Sequence, residues 1–280
     1  MVFVVLWSTG FVVARYGTRD AGPLTFLALR MFVAAGVLWL VATLTDAPRL
    51  SRDQTRWAAV GGLGLHALYL GGVFVASDWG LPSGLSALIA GLHPVITSVA
   101  ALVVLGEVLR RSQWLGVGLG VLGVVAVVAD RLGAGVDGIT VGALLAMAVS
   151  VLGMSVGTLV QRARGSNMPL LRGTAVQYVS AGIVLAIGAG FAEGFEVEPT
   201  ARFWWSLAWA VGVLSIAAVL IMLWLLQRRA TARVSSLFFL TPALSTVEGA
   251  VLFDERLGVL AGVGLVIALV GVALTTRAGD

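Results

Sequence analysis

The chain has 280 residues, of which 59% are hydrophobic and only 11% are charged, with a mean hydropathy of +1.01. A water-soluble domain of this length would carry more surface charge, so the composition excludes a soluble protein and predicts an integral membrane protein. The net charge of +4 comes from arginine, because there is no lysine, and in a membrane protein it indicates topology rather than nucleic-acid binding. The absence of cysteine excludes disulfides.

Ten apolar segments divide the chain, and most have about 20 residues, which is enough to cross the ~30 Å hydrocarbon core of a bilayer as an α-helix. The segments are continuous rather than alternating, so we predict an all-α integral membrane protein with ten transmembrane helices and not a barrel. The first segment is short, and we expect its helix to start at the interface or upstream; it lacks the features of a cleaved signal peptide. The segments are residues 1–14, 24–44, 57–77, 79–106, 112–129, 138–161, 173–192, 203–227, 235–253 and 257–276.

The second half of the chain repeats the first at a distance of 148 residues. A shift of about half the length indicates a duplicated protein, and an odd number of spans per copy places the second copy upside down in the membrane. We therefore predict two inverted five-helix repeats, residues 1–130 and 138–278. The matching pairs are Pro94 and Pro242, Glu107 and Glu255, Gly116 and Gly264, and Gly123 and Gly271.

Arginines are distributed unequally between the two sides of the membrane. With the N-terminus in the cytoplasm, twelve fall on inner connections and five on outer ones. Arginine-rich short loops stay in the cytoplasm, so we predict a multi-pass membrane protein with both termini cytoplasmic. The inner group is Arg49, Arg52, Arg56, Arg110, Arg111, Arg162, Arg164, Arg172, Arg228, Arg229, Arg233 and Arg277, and the outer group is Arg15, Arg19, Arg131, Arg202 and Arg256.

A stripe of small and polar side chains runs along one face of the fourth span, and the ninth span repeats part of it. Polar groups are costly in lipid, so both stripes should line the protein interior. The hydroxyls are most simply explained by hydrogen bonds between helices, whereas an ionisable histidine lines a substrate path about as often as it packs in a core. The stripe comprises Ser83, Ser86, Ala90, His93 and Thr97 in the fourth span and Thr241 and Ser245 in the ninth.

Other side chains could also contact a substrate. Trp7 and Phe11 share a face of the first span and would either stack on cargo or pack in the core. His66 and Tyr69 are three residues apart, which predicts a shared face of the third span. We expect Gln177 to make a buried polar contact, Gln161 to lie at the membrane interface, and Glu107 and Glu255 to anchor helix ends. The candidate substrate-binding residues are Trp7, Phe11, Arg30, His66, Tyr69, His93, Thr241 and Glu248.

Two charges interrupt otherwise apolar spans. Arg30 and Glu248 both lie ~9–10 Å from the predicted outer ends of their helices, counted at 1.5 Å per residue. Equal depth and opposite sign suggest an ion pair in an outer gate. Two alternatives stay open: Arg30 extends outward to the interface while a protonated Glu248 contacts Ser or Thr, or Glu248 carries a coupling proton.

The start Trp7-Ser8-Thr9-Gly10-Phe11, the Pro…Glu pattern of the fourth and ninth spans and the glycine ridges after each resemble the EamA family of the drug/metabolite transporter superfamily. The resemblance extends over nearly the whole chain. It implies secondary transport, usually export of amino acids or related metabolites across the inner membrane. Two features depart from the family pattern: the first helix is short, and Glu248 stands where we expect a neutral residue.

Several activities are excluded by missing residues. Without lysine there is no G-x-x-x-x-G-K-[ST] phosphate loop, and two histidines without cysteine make no metal cluster, so we predict no catalytic residues, metal or cofactor. We predict a secondary exporter with a small-molecule substrate, the lipid bilayer as its surroundings, proton coupling as one option and no nucleic-acid partner. A membrane enzyme acting on lipid-linked substrates and a non-transporting scaffold are the alternatives; the inverted repeat favours transport because mirrored halves can alternate around one site.

Overall fold

The computed structural model describes residues 2–105, 109–133, 140–165, 167–218, 221, 241–254 and 258–276, and these residues are mainly α-helical. Within them, seven helices are long and apolar enough to cross a membrane. The helices are α1 (Val2–Gly17), α2 (Pro23–Leu44), α3 (Arg52–Asp78), α4 (Ser83–Ala90), α5 (His93–Leu105), α6 (Arg111–Gly133), α7 (Val141–Arg164), α8 (Leu170–Ala192), α9 (Ala201–Ala218), α10 (Thr241–Phe253) and α11 (Val259–Thr276).

Local sequence signals set the helix starts. Pro23 occupies the first turn of α2, as predicted, where its missing N–H costs nothing. Ser51 and Gln54 form a capping box at the start of α3. This cap starts the helix at Arg52, so the polar loop predicted over residues 46–56 is shorter than expected. Arg52 is the first residue of this helix, and Arg56 lies in its second turn.

The predicted fourth span is not one continuous helix. It is broken between α4 and α5, at Gly91 and Leu92. Pro94 lacks an N–H and therefore cannot donate to the carbonyl of Ala90, which breaks the hydrogen-bond ladder at this point. The break lies directly before His93, the first residue of α5.

Two helices contain π-helical turns. In α3 the turn covers Leu63–Leu68, and the N–H of Tyr69 bonds to the carbonyl of Gly64, five residues back. In α9 it covers Ala210–Ala218. Such turns add a residue to the helical turn and change which side chains share a face.

α6 and α11 pack antiparallel at very close range through the predicted glycine ridges. A Cβ atom on Gly116 would lie 2.5 Å from the carbonyl oxygen of Gly271, and one on Gly123 would lie 2.5 Å from that of Gly264. These glycines let the two backbones touch, which is a common way to associate helices in lipid.

The helices surround a large interior cluster of apolar side chains, with rings contributed by Phe26, Phe74, Phe203 and Tyr178. Many large apolar side chains instead face outward, among them Leu115 and Phe191, which is the pattern of a surface in contact with lipid.

At one end of the bundle, α8 closes the turn between α1 and α2. The Glu193 carboxylate accepts hydrogen bonds from the backbone N–H groups of Leu24 and Thr25 and from the Thr25 hydroxyl, at 2.7–2.8 Å. It thereby caps α2, where an acidic group is stabilised by the helix dipole.

Some sequence predictions lie outside the described residues. These are the anchoring roles of Glu107 and Glu255, the basic connection over residues 227–233 and the start of the predicted ninth span.

Candidate substrate cavity

A cavity with about 540 Å³ of empty space, part of it open to the outside, lies among α1, α3, α4, α5, α7, α10 and α11. Its walls come from both predicted repeats. They are mainly apolar, with a few polar groups, which is the usual composition of a small-molecule site. The lining residues are Trp7, Phe11, Tyr69, Ala87, Leu88, Ala90, Gly91, Leu92, His93, Pro94, Met154, Thr241, Pro242, Ala268, Leu269 and Val272.

The structure brings five of the eight candidate residues together at this cavity: Trp7, Phe11, Tyr69, His93 and Thr241. The two α1 residues share a face, as their spacing indicates, and the α4–α5 break turns His93 inward. Their role in binding a substrate stays a prediction.

The polar groups of the cavity are incompletely bonded. The Thr241 hydroxyl is buried without a hydrogen-bond partner among the described residues, and the His93 side chain lines the same cavity. The backbone carbonyl of His93 accepts a weak bond from the Ser155 hydroxyl at 3.4 Å. A buried hydroxyl that bonds to nothing loses its interaction with water without compensation. Thr241 and His93 are therefore the groups most available to a ligand.

His66 does not line the cavity that Tyr69 lines. The π-helical turn at Leu63–Leu68 rotates His66 towards α8, where its Nε2 lies 3.3 Å from Gln177 Oε1. Its ring packs edge-on against Tyr178, with centroids 4.7 Å apart. His66 is thus part of a helix contact outside the cavity walls.

The predicted polar contact of Gln177 is present, because its amide nitrogen donates to Gln161 Oε1 at 3.1 Å. Gln161, which we expected at the membrane interface, is therefore hydrogen-bonded to Gln177, which in turn contacts His66.

Arg30 also lies outside the cavity walls. It is 6% exposed, and its Nε donates to the Ser215 hydroxyl at 2.9 Å. Tyr69 is near enough to interact electrostatically with the guanidinium. The predicted pair with Glu248 is not formed in this structure, and Arg30 does not extend to the interface, because α9 supplies a buried hydroxyl beside it.

Glu248 is partly buried between α1 and α10, and the Ser8 hydroxyl lies 2.6 Å from its Oε1. Ser8 and Ser215, the actual partners of the two intramembrane charges, were not among the candidate residues. Serines at one-turn spacing occur on many membrane helices, so the sequence offered no signal for these partners. Met154 and Pro242 were also missed; Pro242 was identified only as a repeat of Pro94.

In the part of the chain that the structure describes, no three His, Asp or Glu side chains lie close enough to hold a metal ion. The polar side chains that line the cavity include an imidazole, from His93, and a hydroxyl, from Thr241.

Comparison with known proteins agrees with this architecture. The chain is 26% identical over 277 residues to the uncharacterized inner membrane transporter YedA of Escherichia coli, covering 97% of this chain and 87% of the relative. It is 26% identical over 285 residues to a probable amino-acid metabolite efflux pump of Escherichia coli, covering 97% and 91%. A protein solved by crystallography shares the fold, with a TM-score of 0.62, 19% identity and coverage of 99% and 95%.

The helices and the cavity define a multi-pass membrane protein of the transporter class. The EamA-like transporter family matches residues 1–129 and 140–277, and the chain belongs to that family. The resemblance noted from the sequence is thus confirmed, and so is the prediction of a transporter rather than an enzyme acting on lipid-linked substrates.

Proposed function

We propose that this protein is a secondary exporter of small metabolites, in particular neutral amino acids or their derivatives, across the inner membrane. The observation that carries the proposal is the cavity itself. It joins aromatic walls, from Trp7, Phe11 and Tyr69, to two polar side chains, His93 and Thr241, of which the Thr241 hydroxyl is buried without a hydrogen-bond partner among the described residues. An amphipathic molecule would find apolar contact and hydrogen bonding there. One relative of similar length is named a probable amino-acid metabolite efflux pump, which supports this substrate class.

The proposed mechanism is alternating access of two inverted five-helix repeats, residues 1–130 and 138–278. Three features support it. Gly116 contacts Gly271 while Gly123 contacts Gly264, so residues that are 148 apart exchange partners, as a two-fold axis in the membrane plane requires. The π-helical turns of α3 and α9 fall at corresponding positions of the two halves. The cavity lies where both halves meet.

Ten helices would put both termini on the same side of the membrane, and we propose the cytoplasm, because the arginine asymmetry supports that side. The energy source we propose is an ion gradient, with the proton as the coupling ion. The lack of a phosphate-binding loop is consistent with a gradient-driven carrier.

Flux into and out of sealed vesicles tests the function directly. Purified protein in liposomes loaded with a mixture of tritiated leucine, phenylalanine and threonine should exchange label with unlabelled amino acids outside, whereas protein-free liposomes should not. Ala90→Phe fills the cavity and should block exchange, because Ala90 is a lining residue.

The matched control is Ala208→Phe, which adds the same ring to an exposed position of α9 and should leave exchange intact. Exchange of none of these amino acids by the wild type, or equal exchange by both variants, contradicts the proposal.

A further inference from the structure

Glu248 is a carboxyl group within the apolar helix α10, and only one of its oxygens is bonded. The Ser8 hydroxyl meets Oε1 at 2.6 Å, whereas Oε2 is buried without a partner. Ser8 itself is fully buried. Polar and ionisable groups at membrane depth are costly, and they persist where they serve an ion or proton path. An unbonded carboxylate oxygen is the kind of group that takes up a proton.

The Ser8 hydroxyl can serve either protonation state of Glu248. Its oxygen lies 2.6 Å from Glu248 Oε1 and 2.9 Å from the carbonyl oxygen of Val5, but it has only one proton to donate. When Glu248 is charged, Ser8 donates to the carboxylate. When Glu248 is protonated, the carboxylic acid can donate to Ser8, and Ser8 donates to Val5. The same atoms therefore form a bonded arrangement with and without the proton.

Two hydroxyl-bearing residues lie between this carboxyl group and the cavity along α10. Thr241, Ser245 and Glu248 follow at spacings of four and three residues, so they lie on one face of α10. Thr241 lines the cavity, and the Ser245 hydroxyl donates to the backbone carbonyl of Ser8 at 3.3 Å. A change in how Ser8 and Glu248 bond would thus act on the α1–α10 contact beside the cavity.

The helices packed against α10 bring few other charges. The described residues of α4 carry no titratable side chain. On α1 the titratable side chains are Arg15 and Tyr16, and both pack on Phe253, the last residue of α10: the Arg15 guanidinium is 4.4 Å from that ring and the Tyr16 ring is 5.1 Å from it. The bond that the structure gives the Glu248 side chain is to a neutral serine.

We propose that Glu248 is the proton-binding residue that couples cargo movement to a proton gradient. The inference rests on the proposed transport function. A proton from the outer side converts the carboxylate to the carboxylic acid, and its release towards the cytoplasm restores the carboxylate. The accompanying change of the Ser8 bond between Glu248 and Val5 alters the contact of α1 with α10, and thereby the cavity that lies between them.

Two flux measurements on the same liposomes test the inference. The first is exchange of the tritiated leucine, phenylalanine and threonine mixture at equal pH on both sides. The second is efflux of that label driven by an acidic exterior. Glu248→Gln should keep exchange and lose the stimulation by the pH gradient, because an amide accepts no proton in this range. Glu248→Asp keeps a carboxyl group and should retain part of the stimulation.

Glu196→Gln is the matched control, since it removes an exposed carboxylate from the connection after α8, and it should behave as the wild type. Intact exchange together with undiminished pH stimulation in Glu248→Gln overturns the inference alone. Absence of exchange in wild-type vesicles overturns the proposed function and this inference with it.

Ser8→Ala provides a second measurement if Glu248→Gln does not fold. Loss of the hydroxyl removes the donor to the charged carboxylate, so the pH at which gradient-driven efflux is half-maximal should move upward. An unchanged pH profile in a folded Ser8→Ala protein overturns the inference.

Discussion

Arg202 holds Asp20 through two parallel hydrogen bonds: Nε donates to Oδ2 at 2.6 Å, and Nη2 donates to Oδ1. The Asp20 side chain is fully buried, whereas that of Arg202 is partly exposed. The pair joins the α1–α2 turn to the start of α9, at the same end of the bundle where Glu193 caps α2. It therefore ties the first predicted repeat to the second.

The stability contributed by this pair should depend on pH. Hydrogen bonding to Arg202 lowers the pKa of Asp20 below its ordinary value of 3.8. A carboxylate whose pKa is lower in the folded state stabilises the fold above the unfolded value, and this stabilisation is lost as the pH falls through the folded pKa. Asp20→Asn should therefore melt at a lower temperature than the wild type at neutral pH.

The difference in melting temperature should shrink as the pH is lowered below 3.8. Thermal unfolding in detergent, followed by tryptophan fluorescence, measures it. A difference that is constant from neutral to acidic pH would show that the pair does not act through its charge.

The close contacts between α6 and α11 predict that a glycine-to-alanine substitution has opposite effects on stability at two positions of α6. Gly123→Ala should destabilise the protein, because the added Cβ would lie 2.5 Å from backbone atoms of Gly264 and Ala268. Gly118→Ala, on the same helix, meets nothing within 4 Å and should be neutral or stabilising, by roughly 0.5–1 kcal/mol in a helix. Melting temperatures of the two variants give the comparison, and equal effects would contradict the close packing described here.

Removal of the His93 side chain should affect transport, whereas removal of the His66 side chain should affect stability. His93→Ala should reduce exchange of the labelled amino acids with little change in melting temperature, because its ring lines the cavity. His66→Ala should lower the melting temperature first, because its ring contacts Gln177 and Tyr178. Equal loss of folding and flux on removing His93 would indicate that it is a packing residue.

The predicted topology can be tested without background labelling, since the chain has no cysteine. A membrane-impermeant thiol reagent should label Glu196→Cys in intact cells and Asp53→Cys only after the cells are opened, because the connections that carry these exposed residues are predicted to lie on opposite sides. Labelling of position 53 in intact cells would reverse the orientation.

A charge swap should not restore function. Arg30→Glu and Glu248→Arg should each reduce exchange of the labelled amino acids. The double variant should show at least as large a reduction, because the two groups bond to different serines, Ser215 and Ser8. Recovery of exchange in the double variant would show that the two charges pair in another conformation.

The sequence by itself determined the class of protein and much of its helical framework. Long apolar runs leave a membrane-spanning helix as the simplest way to satisfy their backbone groups, and the repeated Pro94 and Pro242 and the glycine ridges follow from this one pattern. The sequence also indicated that Trp7, Phe11, His93 and Thr241 face the protein interior, because polar or aromatic residues at helical spacing define one face of a helix. These inferences need only the period of a helix and the cost of polar groups in lipid.

Only the tertiary structure decided which faces meet. The break between α4 and α5 and the π-helical turn of α3 are departures from the regular helical period, and in the structure Tyr69 lines the cavity while His66 contacts Gln177 and Tyr178. The intramembrane charges were placed at equal depth from the sequence, but depth carries no information on the rotation of each helix about its axis. That rotation is set by packing between helices that are distant in the chain. As a result, Arg30 forms a hydrogen bond with Ser215, and Glu248 forms one with Ser8.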